Sequence, residues 1–518
     1  MIASEPAVLQ SYLGGGWLTG RGKPVDLIDP VTGDVLARAS SEGIDLGAGL
    51  AFARETGRAA LGSLTFAERA ALLAAVADVL AARREEWYEI ARRNSGNTRA
   101  DAAIDVDGAI GTLKYYAKIG AALGDASFLA DGEPARLARD PNFQGVHLGV
   151  PLPGIAIHIN AFNFPAWGLW EKAAVALLAG MPVVAKPATA TALLAVEMVR
   201  AVVDAGVLPV GALSVLSGGA GDLLEYVRFG DAIAFTGSAE TGETIRNHPR
   251  VRGEGVRINV EADSLNAALL GPGGAPGTLA FALFVREVVR EMTVKAGQKC
   301  TAIRRVLVPA AYADAVVEAI GTGLDAVTVG DPAAEETLMG PLVSRTQRTA
   351  VEDRIRSLCD VTTIVYRGET PANGAFVAPT LLRARAEAAQ VHVREIFGPV
   401  ATVVAYEDAA DAYALARRGG GSLVVSVFSA DAEFLIASAA ALGSSHGRVL
   451  LVDPSIGETH TGHGVVLPSC VHGGPGRAGG GEELGGLRGL WFYHQRTAVQ
   501  GSAPVVAALA ARSAHIAG

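Results

Sequence analysis

The hydrophobic pattern is most regular between residues 155 and 260. Short apolar runs at 155–159, 182–185, 213–216, 232–235 and 257–260 predict strands, and between them apolar residues recur at helical spacing over 167–179, 191–205, 222–229 and 239–247. The strands are apolar throughout rather than alternating, so both of their faces must be buried. Strict β-α alternation with such strands predicts a doubly wound parallel sheet, covered by helices on both sides, whose ligand lies at the carboxyl ends of the strands.

The pattern before that stretch is looser. Residues 11–39 read as strands and turns, punctuated by Gly14-Gly15-Gly16, Asp29-Pro30 and Thr32-Gly33-Asp34. Thr65-Phe66-Ala67-Glu68 is a capping box that opens a long helix carrying Leu72, Leu73, Val76, Val79 and Leu80, and further helices are predicted at 86–93 and 102–122. Over 134–150, alternation in Arg136-Leu137-Ala138-Arg139 and Val146-His147-Leu148-Gly149-Val150 predicts a hairpin too polar for a core, a device suited to contacts between subunits. Beyond a Gly/Pro linker at 271–277 lies a second α/β region. It has a helix at 281–292, a strand at 306–308, a helix at 311–323, strands at 402–405 and 423–428, a glycine-dense loop at 473–486 and a tail strand at 490–499.

At 518 residues, 50% of them hydrophobic and 19% charged, the chain has the composition of a soluble globular enzyme of two or three domains. Its net charge of −9 argues against nucleic acid or an anionic membrane as partner. Residues 1–13 lack a basic stretch followed by an apolar core, and the longest apolar runs, such as 173–185, stop well short of the roughly 18 residues of a membrane span. A cytoplasmic location is the expectation. The cysteines, Cys300, Cys359 and Cys470, lie far apart, with no CxxC pair and no histidine cluster at ligand spacing, so neither a disulfide framework nor a metal site is expected.

The chemistry concentrates in Val294-Lys295-Ala296-Gly297-Gln298-Lys299-Cys300-Thr301-Ala302. A thiol in such a turn suits nucleophilic attack, because Gly297 lets the backbone bend towards a ligand and Lys295 and Lys299 would favour the thiolate. Taken alone, the same residues also describe a buried structural cysteine. The phosphate-binding candidate is Phe235-Thr236-Gly237-Ser238-Ala239-Glu240-Thr241-Gly242, where a strand ends, glycine turns the chain and a helix starts with free N–H groups, although GxGxxG spacing is absent. The loop at 473–486 reads either as a linker or, with His472, Arg477, Glu482 and Glu483, as the rim of an active site.

Asn160-Ala161-Phe162-Asn163-Phe164-Pro165, Lys186-Pro187, Phe235-Thr236-Gly237-Ser238, Gly297-Gln298-Lys299-Cys300 and Glu395-Ile396-Phe397-Gly398-Pro399-Val400 resemble, in order and spacing, the aldehyde dehydrogenase superfamily over nearly the whole chain. The resemblance implies an α/β fold with a doubly wound parallel-sheet cofactor domain (1–128 and 146–267), an α/β catalytic domain (268–486) and a small oligomerisation segment (129–145 and 487–505). It implies that Cys300 captures the aldehyde as a thiohemiacetal whose hydride passes to nicotinamide, splitting one hard oxidation into hydride loss and thioester hydrolysis. Asn163, with the backbone N–H of Cys300, would hold the developing oxyanion, and Glu261 would activate water for deacylation. Lys172 and Glu483 would relay protons from that base. Lys186, Phe235, Gly237 and Ser238 would bind the cofactor, with Glu395 and Phe397 at the nicotinamide ribose.

Where the family follows its base with Leu-Gly-Gly-Lys, this chain has Ala262-Asp263-Ser264-Leu265-Asn266, losing the freedom of two glycines beside Glu261. That run, the Asn-Ala-Phe-Asn-Phe-Pro variant and Val471-His472-Gly473-Gly474-Pro475-Gly476-Arg477 are similar to a narrower branch, the semialdehyde dehydrogenases of aerobic aromatic (benzoate) breakdown through CoA thioesters. The resemblance therefore implies a CoA-linked substrate, 3,4-dehydroadipyl-CoA semialdehyde, with no second, hydratase domain. It would reach Cys300 through a tunnel beside 471–486, with Arg477 and His472 either along the way or as anchors of the loop. Third after Lys186, where NAD-using relatives commonly carry a glutamate, stands Thr189, which would not repel a 2′-phosphate. The implied cofactor is NADP, with NAD as the alternative, and the implied assembly a homo-oligomer, a dimer first. Two rival readings stand beside this one. A general or CoA-acylating aldehyde dehydrogenase would use the same thiol, and Glu261 counts against the acylating form; a catalytically silent protein on this fold would not need Cys300, Asn163 and Glu261 together.

Overall fold

The computed structural model describes residues 6–385 and 387–515. The regular stretch forms parallel strands Ala156–Ile159, Val183–Lys186, Leu213–Val215, Ala232–Thr236 and Arg257–Glu261. They lie side by side in the order Arg257–Glu261, Ala232–Thr236, Ala156–Ile159, Val183–Lys186, Leu213–Val215, and antiparallel Ser11–Leu13 and Gly16–Leu18 complete a seven-stranded sheet. The direction of winding reverses between Ala156–Ile159 and Ala232–Thr236, which opens a crevice at their carboxyl ends. Helix Trp167–Leu178 is buried along almost its whole length and carries Glu171 and Lys172 among apolar residues. Helix Phe66–Ala82 opens on the expected capping box, Thr65 and Glu68 exchanging side-chain and backbone hydrogen bonds.

A second seven-stranded sheet has the order Thr362–Arg367, Thr380–Ala384, Val400–Tyr406, Arg305–Pro309, Ala267–Leu270, Ser422–Phe428, His446–Val452, parallel except at the Thr362–Arg367 edge. The hairpin is made by Leu129–Arg136 and Phe143–Pro151. His494–Ser502 pairs antiparallel along Phe143–Pro151, and Ala514–His515 closes the other side of this four-stranded sheet. Among the described residues no helix is long and apolar enough to cross a membrane.

Two predicted elements change. Residues 222–229 form only the short 3-10 turn Leu223–Tyr226, because the Asp231 carboxylate accepts from the Arg228 N–H and Gly230 turns left-handed at φ +88°, ending the segment before an α-helix can propagate. The tail strand starts at His494 rather than 490. Left-handed Gly485 and Gly486 launch a 3-10 segment, Gly486–Tyr493, that buries Leu490 and Tyr493 first.

Candidate active site

The crevice of the first sheet opens into a cavity of about 330 Å³ in which Asn160, Asn163, Thr236, Glu261, Cys300, Glu395 and Phe397 all have a face. The thiol reaches it on a distorted loop. Helix Leu279–Thr293 ends at Val294, and Lys295, Ala296 and Gly297 then take left-handed φ of 53°, 50° and 67° in succession. For the two non-glycine residues that conformation costs about 1 kcal/mol or more each and persists only where surroundings enforce it. Here they do. Lys295 N donates to Asp101 (2.8 Å), Gln298 accepts from Val343 N (3.1 Å), and a Cβ on Gly297 would stand 2.2 Å from the Gly398 carbonyl, so only glycine fits. Fully buried Asn266 donates to the carbonyls of Cys300 (2.7 Å) and Ala302 (3.0 Å), and Arg304 donates to that of Lys299 (3.1 Å).

The two lysines do not serve the thiolate as the sequence suggested. Lys299 is ion-paired with Glu291 at 2.7 Å, and Lys295 lies over the Phe164 ring near Asp101 and Asp105. Burial pushes the Cys300 thiol well up, and the neighbouring Glu261 carboxylate pushes it further. Burial would also raise Glu261, but the His472 imidazole, the Lys172 ammonium and the Cys300 thiol outweigh it and hold this carboxyl down at about 2. The resting pair is therefore thiol and carboxylate, since two anions in contact cannot both ionise cheaply. His472 Nε2 stands 3.1 Å from Glu261 Oε1. Its ring is buried edge to face against Trp167, a position that suits anchoring its loop.

Behind Glu261, Lys172 is in contact with Glu171 and lies 3.1 Å from Glu483, whose other oxygen accepts from Asn259 (2.9 Å). Burial alone would lower the lysine; Glu171, Glu483 and Glu261 together raise it instead. Burial drives Glu171 well above the ordinary carboxyl range. Glu171 was not singled out in the sequence, although a Glu-Lys pair inside a helix apolar on every side was a usable signal.

The loop after Glu261, glycine-free and for that reason in doubt, needs no glycine: among the described residues left-handed non-glycine φ occurs only at Lys295, Ala296 and Leu484. Its polar residues tie the two sheets together. Ser264 N donates to Glu395 (3.2 Å), and Ser264 Oγ and Asn266 Oδ1 accept from Leu423 N (2.9 Å) and Val424 N (3.0 Å). Asp263 Oδ1 accepts from Ala239 N (3.2 Å) and Ser238 Oγ from Thr241 N (3.2 Å), so fewer N–H groups at this helix start are free for a phosphate than expected.

Of the residues implied for the cofactor, Phe235, Gly237, Ser238, Glu395 and Phe397 line the cavity. Glu395 is bonded to Arg304 (3.1 Å), and Phe397 meets Phe162 edge to face. Lys186 and Thr189 flank the lining residue Ala188 and donate to the carbonyls of Pro187 (2.6 Å) and Gly218 (2.9 Å). Among the described residues no carboxylate pairs with Lys186, and burial lowers its pKa to about 8. A buried cation with no carboxylate partner among the described residues and the two orphaned side-chain amide atoms of Asn160 fit a polar, anionic nucleotide.

Cys300 also faces a second, smaller opening of about 110 Å³, lined by Ile104, Phe164, Trp167, Arg290, Val294 and Val466 among others. It gives the thiol a second access, lined by residues outside 471–486. Two glycines of that loop are closely packed: a Cβ on Gly479 would meet the Val260 carbonyl at 2.0 Å, and one on Gly481 the Asn259 side chain at 1.8 Å. Arg477 is bonded to the Val393 carbonyl and lies 3.5 Å from Asp263, on the larger cavity's side.

The sequence profile of the aldehyde dehydrogenase family matches residues 17–496. Over 477 residues, 90% of this chain and 93% of the other, the sequence is 52% identical to 3,4-dehydroadipyl-CoA semialdehyde dehydrogenase of Aromatoleum evansii. Among solved structures, lactaldehyde dehydrogenase from Escherichia coli superposes with a TM-score of 0.83 at 23% identity, covering 96% of this chain and 99% of that one. PnpE in complex with nicotinamide adenine dinucleotide does so with 0.82 at 24%, covering 95% and 97%. The chain belongs to the aldehyde dehydrogenase family.

Proposed function

We propose that this protein oxidises a CoA-linked semialdehyde to the carboxylic acid, with 3,4-dehydroadipyl-CoA semialdehyde of aromatic (benzoate) breakdown as the substrate and NADP as the preferred cofactor. The observation that carries the chemistry is the meeting of Cys300, Glu261 and Asn163 in one cavity between two openings, the larger suited to the dinucleotide and the smaller to the aldehyde. The substrate assignment rests on the 52% identity to the Aromatoleum evansii enzyme.

In this reading Glu261 takes the Cys300 proton as sulfur attacks the aldehyde carbon, which fits a thiol whose ionisation the same carboxylate suppresses at rest. The Asn163 amide has no hydrogen-bond partner among the described residues, so it is free, with the Cys300 N–H, to receive the oxyanion. The bound dinucleotide supplies the hydride acceptor. Glu261 hands the Cys300 proton on through Lys172 with Glu171 and Glu483, is then free to take one from the water that attacks the thioester, and returns it to the departing Cys300 sulfur. Glu261 disfavours an enzyme that releases its thioester to CoA, since such a reaction needs no water activation.

The preference for NADP is supported by Lys186, buried with no carboxylate partner among the described residues, and by Thr189 where a carboxylate would repel a 2′-phosphate. Homo-oligomers, dimers first, are supported by the four-stranded sheet, whose outer strand His494–Ser502 has one edge without a neighbouring strand among the described residues. The deciding experiment is steady-state reduction of NADP and of NAD with a CoA-thioester semialdehyde, the corresponding free-acid semialdehyde and a short aliphatic aldehyde, each with and without added CoA. The thioester should win by at least about 10-fold in kcat/KM, since binding energy from the remote CoA portion orients the reacting carbon. A short aldehyde turned over as well as the thioester refutes the substrate, and a requirement for free CoA refutes the hydrolytic route.

A further inference from the structure

Three elements bring different ligand types to one point. Glu261 ends strand Arg257–Glu261, Cys300 follows the left-handed turn, and His472 is the middle residue of strand Val471–Gly473. A carboxylate oxygen, the sulfur and an imidazole nitrogen from these three all lie within 4.8 Å of one another. His472 Nε2 and Glu261 Oε1, 3.1 Å apart, are not aligned for a hydrogen bond, and among the described residues neither atom has one. Their side chains are 3% and 2% exposed, so both polar atoms are held in a buried place at a cost. The neighbouring acidic group makes an instructive contrast: Glu171, Glu261 and Glu483 converge as closely, but they already surround a cation, the Lys172 ammonium.

We propose that Glu261, Cys300 and His472 form a three-point site for one thiophilic divalent cation of the Zn²⁺ type, whose binding inhibits the enzyme reversibly. One thiolate, one imidazole and one carboxylate are a donor set that favours zinc, cobalt and cadmium over magnesium or calcium. Donor atoms of a tetrahedral zinc ion stand roughly 3.3–3.6 Å apart, given metal–ligand bonds of about 2.0–2.3 Å, so small side-chain rotations from the present positions suffice. Charge also balances. The two positive charges of the ion meet one thiolate and one carboxylate, leaving a neutral unit in a buried place where net charge is costly. The cavity leaves the fourth position to water. On binding, a metal–sulfur bond replaces the Cys300 S–H bond, the proton passes to solvent, and nothing is oxidised or reduced. A sulfur held this way cannot attack an aldehyde, nor can Glu261 accept a proton, so one ion blocks both half-reactions.

The test uses the full-length enzyme, stripped with a chelator and titrated anaerobically with Co²⁺ as spectroscopic probe, then with Zn²⁺ in competition; its readout is independent of which aldehyde the enzyme oxidises. A near-ultraviolet thiolate-to-cobalt band, with visible bands of tetrahedral intensity that Zn²⁺ removes and Mg²⁺ does not, is the expected result. Cys300→Ala should lose the thiolate band. His472→Phe and His472→Gln, each checked by circular dichroism for folding, should bind Zn²⁺ at least about 10-fold more weakly, since even the loss of an outer-shell partner costs that much. The proposal fails if the wild type gives no thiolate band. It fails equally if a folded His472 variant binds Zn²⁺ as tightly as the wild type, which would mean simple capture by a lone thiol.

Discussion

The two seven-stranded sheets supply the same cavity from opposite ends. The first works from the carboxyl ends of its strands: Asn160 and Asn163 follow Ala156–Ile159, Gly237 and Ser238 follow Ala232–Thr236, and Lys186 and Glu261 close their own strands. The second works from its amino ends, with Ser264 and Asn266 before Ala267–Leu270, Cys300 before Arg305–Pro309, and Glu395 and Phe397 before Val400–Tyr406. Carboxyl ends of a parallel sheet lead into short loops and helix starts, which suit a ligand with little further support. Amino ends lack that scaffold, and the second sheet replaces it with buried side chains bonded to loop carbonyls. Arg305, fully buried, donates to the carbonyls of Leu265, Leu415 and Ala416, while Arg304 and Asn266 hold the cysteine loop. Ligand binding is thus a property of topology, and placement of the nucleophile a property of particular side chains. Mutations in the two halves should separate accordingly.

The sharpest separation is expected at Cys300. Cys300→Ala should lower turnover by at least about 10³-fold while dinucleotide affinity, measured by fluorescence titration, stays near that of the wild type, because the other sheet builds most of that cleft. Glu261→Gln should slow both phases, the first burst of reduced cofactor because Glu261 takes the Cys300 proton, and deacylation because it activates the water. A burst at the wild-type rate would show that another base prepares the thiol.

The comparison bends at Lys172, where the first sheet too depends on a buried charge. Lys172→Met strands Glu171, Glu261 and Glu483 without their cation and should cost roughly 3–5 kcal/mol in urea unfolding at neutral pH. The deficit should shrink as pH falls and those carboxylates take up protons. In the wild type the sign for Glu261 is fixed by its depressed pKa: its contribution is full above 4.5, its ordinary value, and is lost as pH falls from there towards about 2. Glu261→Gln should flatten that part of the stability curve. A variant as pH-dependent as the wild type there would assign the slope to other carboxylates.

This division also explains what was legible in the sequence. The first sheet was read strand by strand, because a β-α alternation leaves a local period and its site residues follow strands directly. The helices Leu46–Phe52, Arg345–Arg356, Ala409–Arg417 and Ala432–Leu442 went unread, being short or, like Arg345–Arg356, polar on most of their surface. In the active site, Cys300, Asn163 and Glu261 stand in motifs. The contacts of Asn266 and Arg304 and the one between Glu261 and His472 were not legible: the partners lie 34, 91 and 211 positions away, and no local spacing encodes a fold that brings them together. The two lysines beside Cys300 misled for the same reason, since sequence proximity showed their charges but not the acidic residues that claim them.

Asn266 probes the support of the second sheet by itself. Asn266→Ala removes both bonds to the cysteine loop and leaves the buried Val424 N–H without its acceptor, which should cost about 2–3 kcal/mol in stability. A loop released by even about 1 Å should lose on the order of 10²-fold in kcat/KM. Dinucleotide affinity should hold. If affinity and kcat/KM fell together, the two halves would not be separable and the contrast between the sheets would fail.

The smallest effect is expected where the first sheet meets the far end of the dinucleotide. Thr189 sits in the 3-10 turn after Val183–Lys186, half-buried, with one hydrogen bond to the Gly218 carbonyl. Thr189→Glu exchanges that bond, worth about 1 kcal/mol, for a carboxylate beside Lys186, so stability should hardly change. Preference should. A charge that repels a 2′-phosphate and accepts from ribose hydroxyls should shift the ratio of kcat/KM for NADP over NAD at least about 10-fold towards NAD, a difference of only ~1.4 kcal/mol. Turnover at saturating cofactor should be unaffected, since Cys300 is held by the other sheet. A wild type that uses NAD as well as or better than NADP would refute the preference outright. A ratio left unmoved by the added carboxylate would place the 2′-phosphate away from this turn.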